Sequence, residues 1–415
     1  MRSPLLVTLI AAALAAAAPA HANGPSERLA ALKVAEETVA AQRSASDNPA
    51  LTAAARQALR QQLVTPMQTL GTLQSFSGAP LEAMATFDAI GPLLGGAAVP
   101  AGPATSPVIA WTTGRDAIAA IVEQARNRQI VMLNEAQHVP MQRAFAMRLA
   151  RELRKIGFTY LAVEALEQAP LAKGYPTAAS GYYLAEPTFA NFLRDAVQQN
   201  WTLVAYEYKF DALGLGSGDN VSARELGQVD NLVKRVLAKD PKARIFVYAA
   251  SDHVREKITP GDTWMAGYLR ERTGIDPLTI DQATMFSHGG AGADHPLYTQ
   301  LAAKSTSGQP FVLTRVGSQE VFGKYKGEVD MQVVHPAYPL SPSTGRPLWM
   351  SSLAGLKAHS IPSALWPASG RRLIELRRKG APADEVALDA VLAVAGQKPP
   401  MMMAPPGDVE FSASE

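Results

Sequence analysis

The stretch Ile130-Val131-Met132-Leu133-Asn134-Glu135-Ala136-Gln137-His138 decides the fold. Four apolar residues end in an amide, a carboxylate and, three residues further on, an imidazole. Pro140 follows at a position suited to the first turn of a helix, where its missing N–H costs nothing. Met141–Ile156 then keeps Phe145, Leu149, Leu153 and Ile156 on one helical stripe. A second apolar run, Tyr160–Val163, comes next and is followed at once by Glu164. Apolar strand, amphipathic helix, apolar strand is the grammar of a βαβ unit.

The alternation continues outward. Strands are expected at Leu203–Tyr206, Ile245–Tyr248 and Leu278–Ile280, and helices at Gly114–Asn127, Thr188–Gln199, Ala223–Ala238 and Thr263–Arg272. The strand runs are apolar throughout rather than alternating, as happens when helices cover both faces of a sheet. The expected class is therefore α/β: a mostly parallel sheet with helices on both faces, plus an N-terminal helical segment. Phe311–Val316 and Gln332–Val334 are candidate further strands. Ser369–Ala393 is expected to form one or two amphipathic helices, and residues 396–415, with their Pro-Pro and Met-Met-Met clusters, a disordered tail.

At the other end, Arg2, the apolar run Leu5–Ala18 and the small residues around Ala20-His21-Ala22 read as a secretory signal peptide over residues 1–22, cut after Ala22. That places the mature chain in the periplasm or outside the cell, with no membrane span. Residues 23–76 carry Leu29, Leu32, Val39, Leu59, Leu63, Met67 and Leu70 at helical spacing. Residues 77–107 read as a Gly/Pro/Ala-rich linker, and residues 108–395 as the main α/β domain with a C-terminal extension.

Composition narrows the chemistry. The 415 residues are 47% hydrophobic and 18% charged, enough apolar side chain for a substantial core. A formal net charge of +2 gives no field that would gather nucleic acid. The absence of cysteine excludes disulfides, thiolate metal sites and a cysteine nucleophile. The partner expected is a small-molecule or peptide substrate, and nothing in the composition selects an oligomeric state.

In open parallel sheets, ligands sit outside the carboxyl ends of the strands. The residues just past the apolar runs are Glu135 and His138, then Glu164, then Glu207, then Asp252 and His253. A carboxylate beside an imidazole fixes its tautomer and raises its basicity, which suits a general base acting on water. The same donors can instead ligate one divalent ion. Arg143 and Arg148, early in the helix after the first motif, are candidates for holding a substrate carboxylate or oxyanion. Gly174–Tyr183, with Tyr175 and Tyr182, reads as a loop covering the substrate. His288, Asp294 and His295 form a further group capable of metal ligation, separated by glycine and alanine. No G-x-S-x-G elbow, GKS/GKT loop, H-E-x-x-H helix or G-x-G-x-x-G fingerprint occurs in the sheet region.

With these residues in place, the chain resembles the erythromycin-esterase/ChaN-like superfamily, which includes the Tiki-type proteases. Its signature is a strand followed by G-E-x-x-H, a helix, and a second strand ending in Glu. Here the counterparts are Asn134-Glu135-Ala136-Gln137-His138 and Leu161-Ala162-Val163-Glu164. Ala250-Ser251-Asp252-His253-Val254 stands where a later strand of the family carries a G-x-x-H or N-x-H-V element. The similarity runs from Ile130 to Asp281. It implies a site of Glu135, His138, Glu164 and His253, in a family whose activities divide among ester hydrolysis by an activated water, metal-dependent peptide cleavage and haem binding. Asn134 departs from the family's first glycine. Ala250 stands where esterase-like members tend to have a histidine and Tiki-type members a glycine.

The resulting expectation is an exported hydrolase acting on an ester or amide. His138 would be the general base, oriented by Glu135 or Glu164, and His253 would stabilise the oxyanion or protonate the leaving group. This scheme needs no cofactor, although a divalent metal or haem is compatible with the resemblance. The alternative is a non-catalytic periplasmic protein of the ChaN type that binds haem or another small ligand, with Tyr175, Tyr182 or Tyr206 offering an iron ligand.

Overall fold

A computed structural model describes residues 24–94, 105–167, 173–208, 220–289 and 293–414. The expected signal peptide lies outside these residues. The chain enters through helices α1 (Pro25–Ser46), α2 (Ala53–Gln62), α3 (Val64–Phe76), α4 (Pro80–Asp88) and α5 (Ile90–Leu93). The last two overturn the linker reading over the described part of residues 77–107. Pro80 starts α4, where proline favours a helix, and Ala83, Met84 and Ile90 are buried. Composition registered the abundance of Gly and Pro but not where each proline sits. Gly71 lets α4 close onto α3, because a Cβ there would lie 2.6 Å from the ring of Phe87.

The main sheet contains β1 (Thr113–Asp116), β2 (Ile130–Glu135), β3 (Tyr160–Val163), β4 (Thr202–Ala205), β5 (Ile245–Ala250), β6 (Leu278–Met285), β7 (Phe311–Arg315), β8 (Ser318–Glu320) and β9 (Met331–Val334). Their spatial order is β1-β7-β9-β6-β2-β5-β3-β4, with β8 beside β7. Every pairing from β9 through β4 is parallel, while β1 and β8 pair antiparallel with β7, and β7 with β9. The fold is α/β. β1 takes the first residues of the helix expected at Gly114–Asn127, and α6 (Ala117–Ala125) begins only where Asp116 accepts a hydrogen bond from the Ala119 N–H at 2.8 Å.

The continuous apolar runs follow from burial on both sides. In β2, Val131 and Leu133 join one core with α6, α7 (Pro140–Lys155) and α8 (Pro187–Gln198). Ile130 and Met132 face another core, with α9 (Asn220–Leu232) and α10 (Met265–Thr273). Successive residues alternate between faces, so both sets must be apolar.

The C-terminal region departs from expectation. Ser369–Ala393 holds no helix; it supplies β11 (Arg371–Arg378) and most of β12 (Asp389–Val394), which form an antiparallel sheet with β14 (Val409–Ala413). Nor is residues 396–415 a frayed tail, since β13 (Met402–Ala404) pairs with β10 (Lys357–His359) and all three of its residues are buried. β11 is covered on both sides: Leu373 meets Leu29 of α1, while Ile374 and Leu376 meet Met402 and Ala404. Two-sided burial erased the period-2 signal that marks a half-exposed strand.

Candidate functional site

A cavity of about 420 Å³ lies between the carboxyl ends of the parallel strands and helices α3–α5. Its polar side carries His138, Glu164, Arg224, Asp252, His253 and His288. Val64, Ile90 and Leu94 line it from the N-terminal helices, and Phe87, Tyr182 and Trp264 add aromatic walls. Polar groups at strand ends opposite an apolar wall are the usual make-up of a small-molecule site.

His253 is the most tightly held of these residues. It follows β5 in a short 3-10 turn, 3% exposed, with Nδ1 2.7 Å from Glu225 Oε2 and Nε2 3.4 Å from Glu164 Oε1. Glu225, on α9, also accepts the Met265 N–H at 2.9 Å. Burial opposes a charge on this ring, but Glu225 and Glu164 outweigh it and push the pKa up to about 10. His253 is therefore an imidazolium at neutral pH. Glu164 accepts from Arg224 Nη2 at 2.6 Å and from the Ala250 N–H at 2.6 Å. Burial raises its pKa, yet His253 and Arg224 hold it well below the usual carboxylate range. Arg224 is itself clamped by Glu207, whose Oε1 accepts from Nε at 3.0 Å.

His138 contrasts with it. Its ring lies flat on Phe87 of α4, centroids 4.1 Å apart at 13°. Burial, with His288 and the Arg143 cation nearby, lowers its pKa to about 3. No hydrogen bond engages either ring nitrogen among the described residues, so His138 presents a neutral imidazole. Neither Glu135 nor Glu164 orients it, contrary to expectation. Glu135 is bound by Arg143, from Nε at 2.8 Å and Nη2 at 3.3 Å, and by the Tyr248 hydroxyl at 2.8 Å. Arg143 is fully buried and also meets Glu186 at 3.1 Å, the Gln137 carbonyl and the Phe189 ring. These two residues build the floor beneath the motif instead of touching the cavity.

Asn134 has a structural task that a glycine could not perform. Its Nδ2 donates to the Ser251 carbonyl at 2.9 Å and to Asp281 Oδ1 at 3.0 Å, and its Oδ1 accepts the Gln282 N–H at 2.7 Å. One amide thus ties β2 to the end of β5 and to β6. Among the other expected binding residues, Asp252 and Tyr182 line the cavity. Asp252 is held by Lys324 at 2.6 Å and by the Tyr325 hydroxyl at 2.9 Å. Arg148 donates to Gln309 at 2.7 Å and Tyr175 to Asp384 at 3.1 Å, both away from the cavity lining, and Glu207 acts through Arg224. The Gly174–Tyr183 loop is pinned to the C-terminal extension through Asp384, and it contributes Tyr182 and Tyr183 to the wall.

The sequence reading missed Arg224, Glu225, Trp264, Phe87 and Asp88. Arg224 and Glu225 lie on a helix packed over the sheet edge, not at a strand end, and the last two sit in what composition marked as linker. No group of three or more His, Asp or Glu side chains is arranged to hold a metal among the described residues. Tyr206 is buried with its hydroxyl on the Tyr248 carbonyl, and Tyr182 packs edge-to-face against Phe76 and Tyr183. Among the described residues the donors are thus not gathered into a cage for a divalent ion, and Tyr206 is committed to the backbone.

The molecule is an α/β protein with a roofed cavity at the carboxyl edge of its sheet. No protein-family model matches the chain, and no curated protein matches it. Among solved structures, it is similar to the type III effector HopBA1, at 12% identity and a TM-score of 0.34 over 56% of this chain and 99% of the effector. The Pasteurella multocida toxin, whose C-terminal region has a thiol-protease-like catalytic triad, matches at 11% identity and a TM-score of 0.31, over 82% of this chain and 54% of the toxin chain. A further structure of bacterial protein toxins matches at 15% identity and 0.31, over 63% of this chain and 57% of its own. The chain thus spans little more than half the length of these toxin chains. No helix among the described residues is long and apolar enough to cross a membrane.

Proposed function

We propose that this protein is a hydrolase that uses the cavity to attack a small ester or amide with water. One observation carries the reading: His138, Glu164 and His253 line a single cavity, with the His253 ring fixed between two carboxylates that favour its cationic form. A preorganised cation stabilises the negative charge that develops on a carbonyl oxygen, without reorganising during the reaction. His138, neutral and with no hydrogen bond to its ring nitrogens among the described residues, receives one from the attacking water. Arg224 adds positive charge beside His253, and Glu164 keeps the two cations together. An export signal in residues 1–22 would place this chemistry in the periplasm or outside the cell, which sequencing the N-terminus of the purified mature protein tests.

A panel of p-nitrophenyl esters and amides, offered to the wild type and to His253→Asn, tests the function. Turnover by the wild type with a fall of roughly 10²–10³ in kcat for the variant is expected. Equal turnover by both, or none by the wild type, contradicts it. A second reading, a cavity that binds without reacting, is favoured by the weak basicity of His138. It predicts saturable quenching of tryptophan fluorescence by a small apolar ligand, with no turnover of any ester.

A further inference from the structure

The cavity holds another histidine, which the proposal above leaves idle. His288 follows β6, and its ring is stacked on Phe286 with centroids 4.2 Å apart at 18°. Its Nδ1 lies 2.8 Å from Asp88 Oδ1, at the end of α4. Both residues line the cavity, with side chains 17% and 23% exposed. No other hydrogen bond engages either side chain among the described residues.

Comparison with the other two imidazoles gives His288 its role. His253 has a carboxylate at each nitrogen and no site left to take a proton. His138 has no carboxylate and lies flat against Phe87. His288 alone joins one carboxylate, which fixes the proton on Nδ1, to an Nε2 with no commitment. That is how a base acting on water is oriented. We infer that Asp88 and His288 form the proton-accepting dyad of the cavity, and that the substrate is a small ester whose apolar acyl group lies against Val64, Ile90 and Leu94. The inference rests on the hydrolytic reading and deepens it.

In this step the water oxygen bonds to the carbonyl carbon while one of its protons passes to His288 Nε2. The carbonyl electron pair moves onto its oxygen and is stabilised by His253. When that pair returns, the carbon–oxygen bond to the leaving alkoxide breaks and the alkoxide takes the proton from His288. One water is consumed and one acid and one alcohol are released. Asp88 comes from the N-terminal helices and His288 from the sheet, so the dyad exists only while α4 roofs the cavity. The same roof favours a compact ester over a polypeptide, which would have to thread beneath α3–α5.

The test uses the full chain, as wild type, Asp88→Asn, His288→Gln and His253→Asn, with p-nitrophenyl acetate, butyrate and hexanoate. The expected result is a fall of roughly 10²–10⁴ in kcat for Asp88→Asn and for His288→Gln, with little change in KM. Wild-type kcat/KM should rise with acyl length. Nitrogen NMR should find the neutral His288 ring protonated at Nδ1 in the wild type, with that preference lost in Asp88→Asn. If both dyad variants keep wild-type kcat while His253→Asn loses it, the dyad is wrong and the hydrolytic reading stands. If the wild type turns over no ester, the hydrolytic reading fails and takes the dyad with it.

Discussion

At the scale of single residues, two histidines in one cavity are driven in opposite directions by their surroundings. His138 has its pKa lowered from 6.5 to about 3, chiefly by burial, so its proton binds more tightly in the unfolded chain. The wild type therefore loses stability as pH falls from 6.5 towards 3. His138→Phe, which keeps a ring against Phe87, should lose less over that range in chemical denaturation; parallel curves would contradict this. His253 behaves in the reverse sense. Its raised pKa, about 10, contributes stability that is complete below pH 6.5 and lost as pH climbs to about 10. The stability gap between wild type and Glu225→Gln should accordingly narrow across pH 6.5–10. Arg143→Met strands Glu135 and Glu186 as buried, unpaired charges. A cost of about 3–5 kcal/mol is expected from urea denaturation, whereas a loss under 1 kcal/mol would mean that the carboxylates find other partners.

At the scale of elements, Gly71 tests how α3 and α4 shape the cavity. Alanine improves a helix by about 1 kcal/mol relative to glycine, yet its Cβ would meet the Phe87 ring. Gly71→Ala should therefore fail to stabilise the protein and should shift the His138 ring resonances as Phe87 moves. A gain in stability with unchanged resonances would contradict the packing. The same elements show what was legible beforehand. β2, β3 and β5 were readable because both faces are buried and the runs are short, and Glu164 and His253 were readable as the residues just beyond them. Asp88 and Phe87 were not, because a Pro- and Gly-rich composition hides a helix whose proline sits at its first turn. β11 was misread because Glu375 breaks its short apolar run between flanking arginines, and only the fold supplies Arg28 to bury that carboxylate. Arg224 escaped because its partners, Glu164 and Glu207, are distant in sequence and only the sheet order brings them to it.

At the scale of the whole molecule, the N-terminal helices join the C-terminal sheet to the cavity edge of the main sheet. Arg28 of α1 is buried against Glu375 of β11 at 2.8 Å, and Arg371 holds Glu36 at 2.7 Å. Deleting residues 24–94 should uncover Leu373 and Ala390 together with the cavity, giving strong binding of a hydrophobic dye and a broadened thermal transition. An unchanged, sharp transition would contradict the joint core. Helix α4 and the sheet-edge motif meet face to face to enclose one site. The double-mutant cycle of Phe87→Ala and His138→Ala, read by denaturation, tests this most directly. Stacked rings predict a coupling of roughly 0.5–1.5 kcal/mol. Effects that add to within about 0.3 kcal/mol would mean that the two rings do not touch and that the cavity is not built as described.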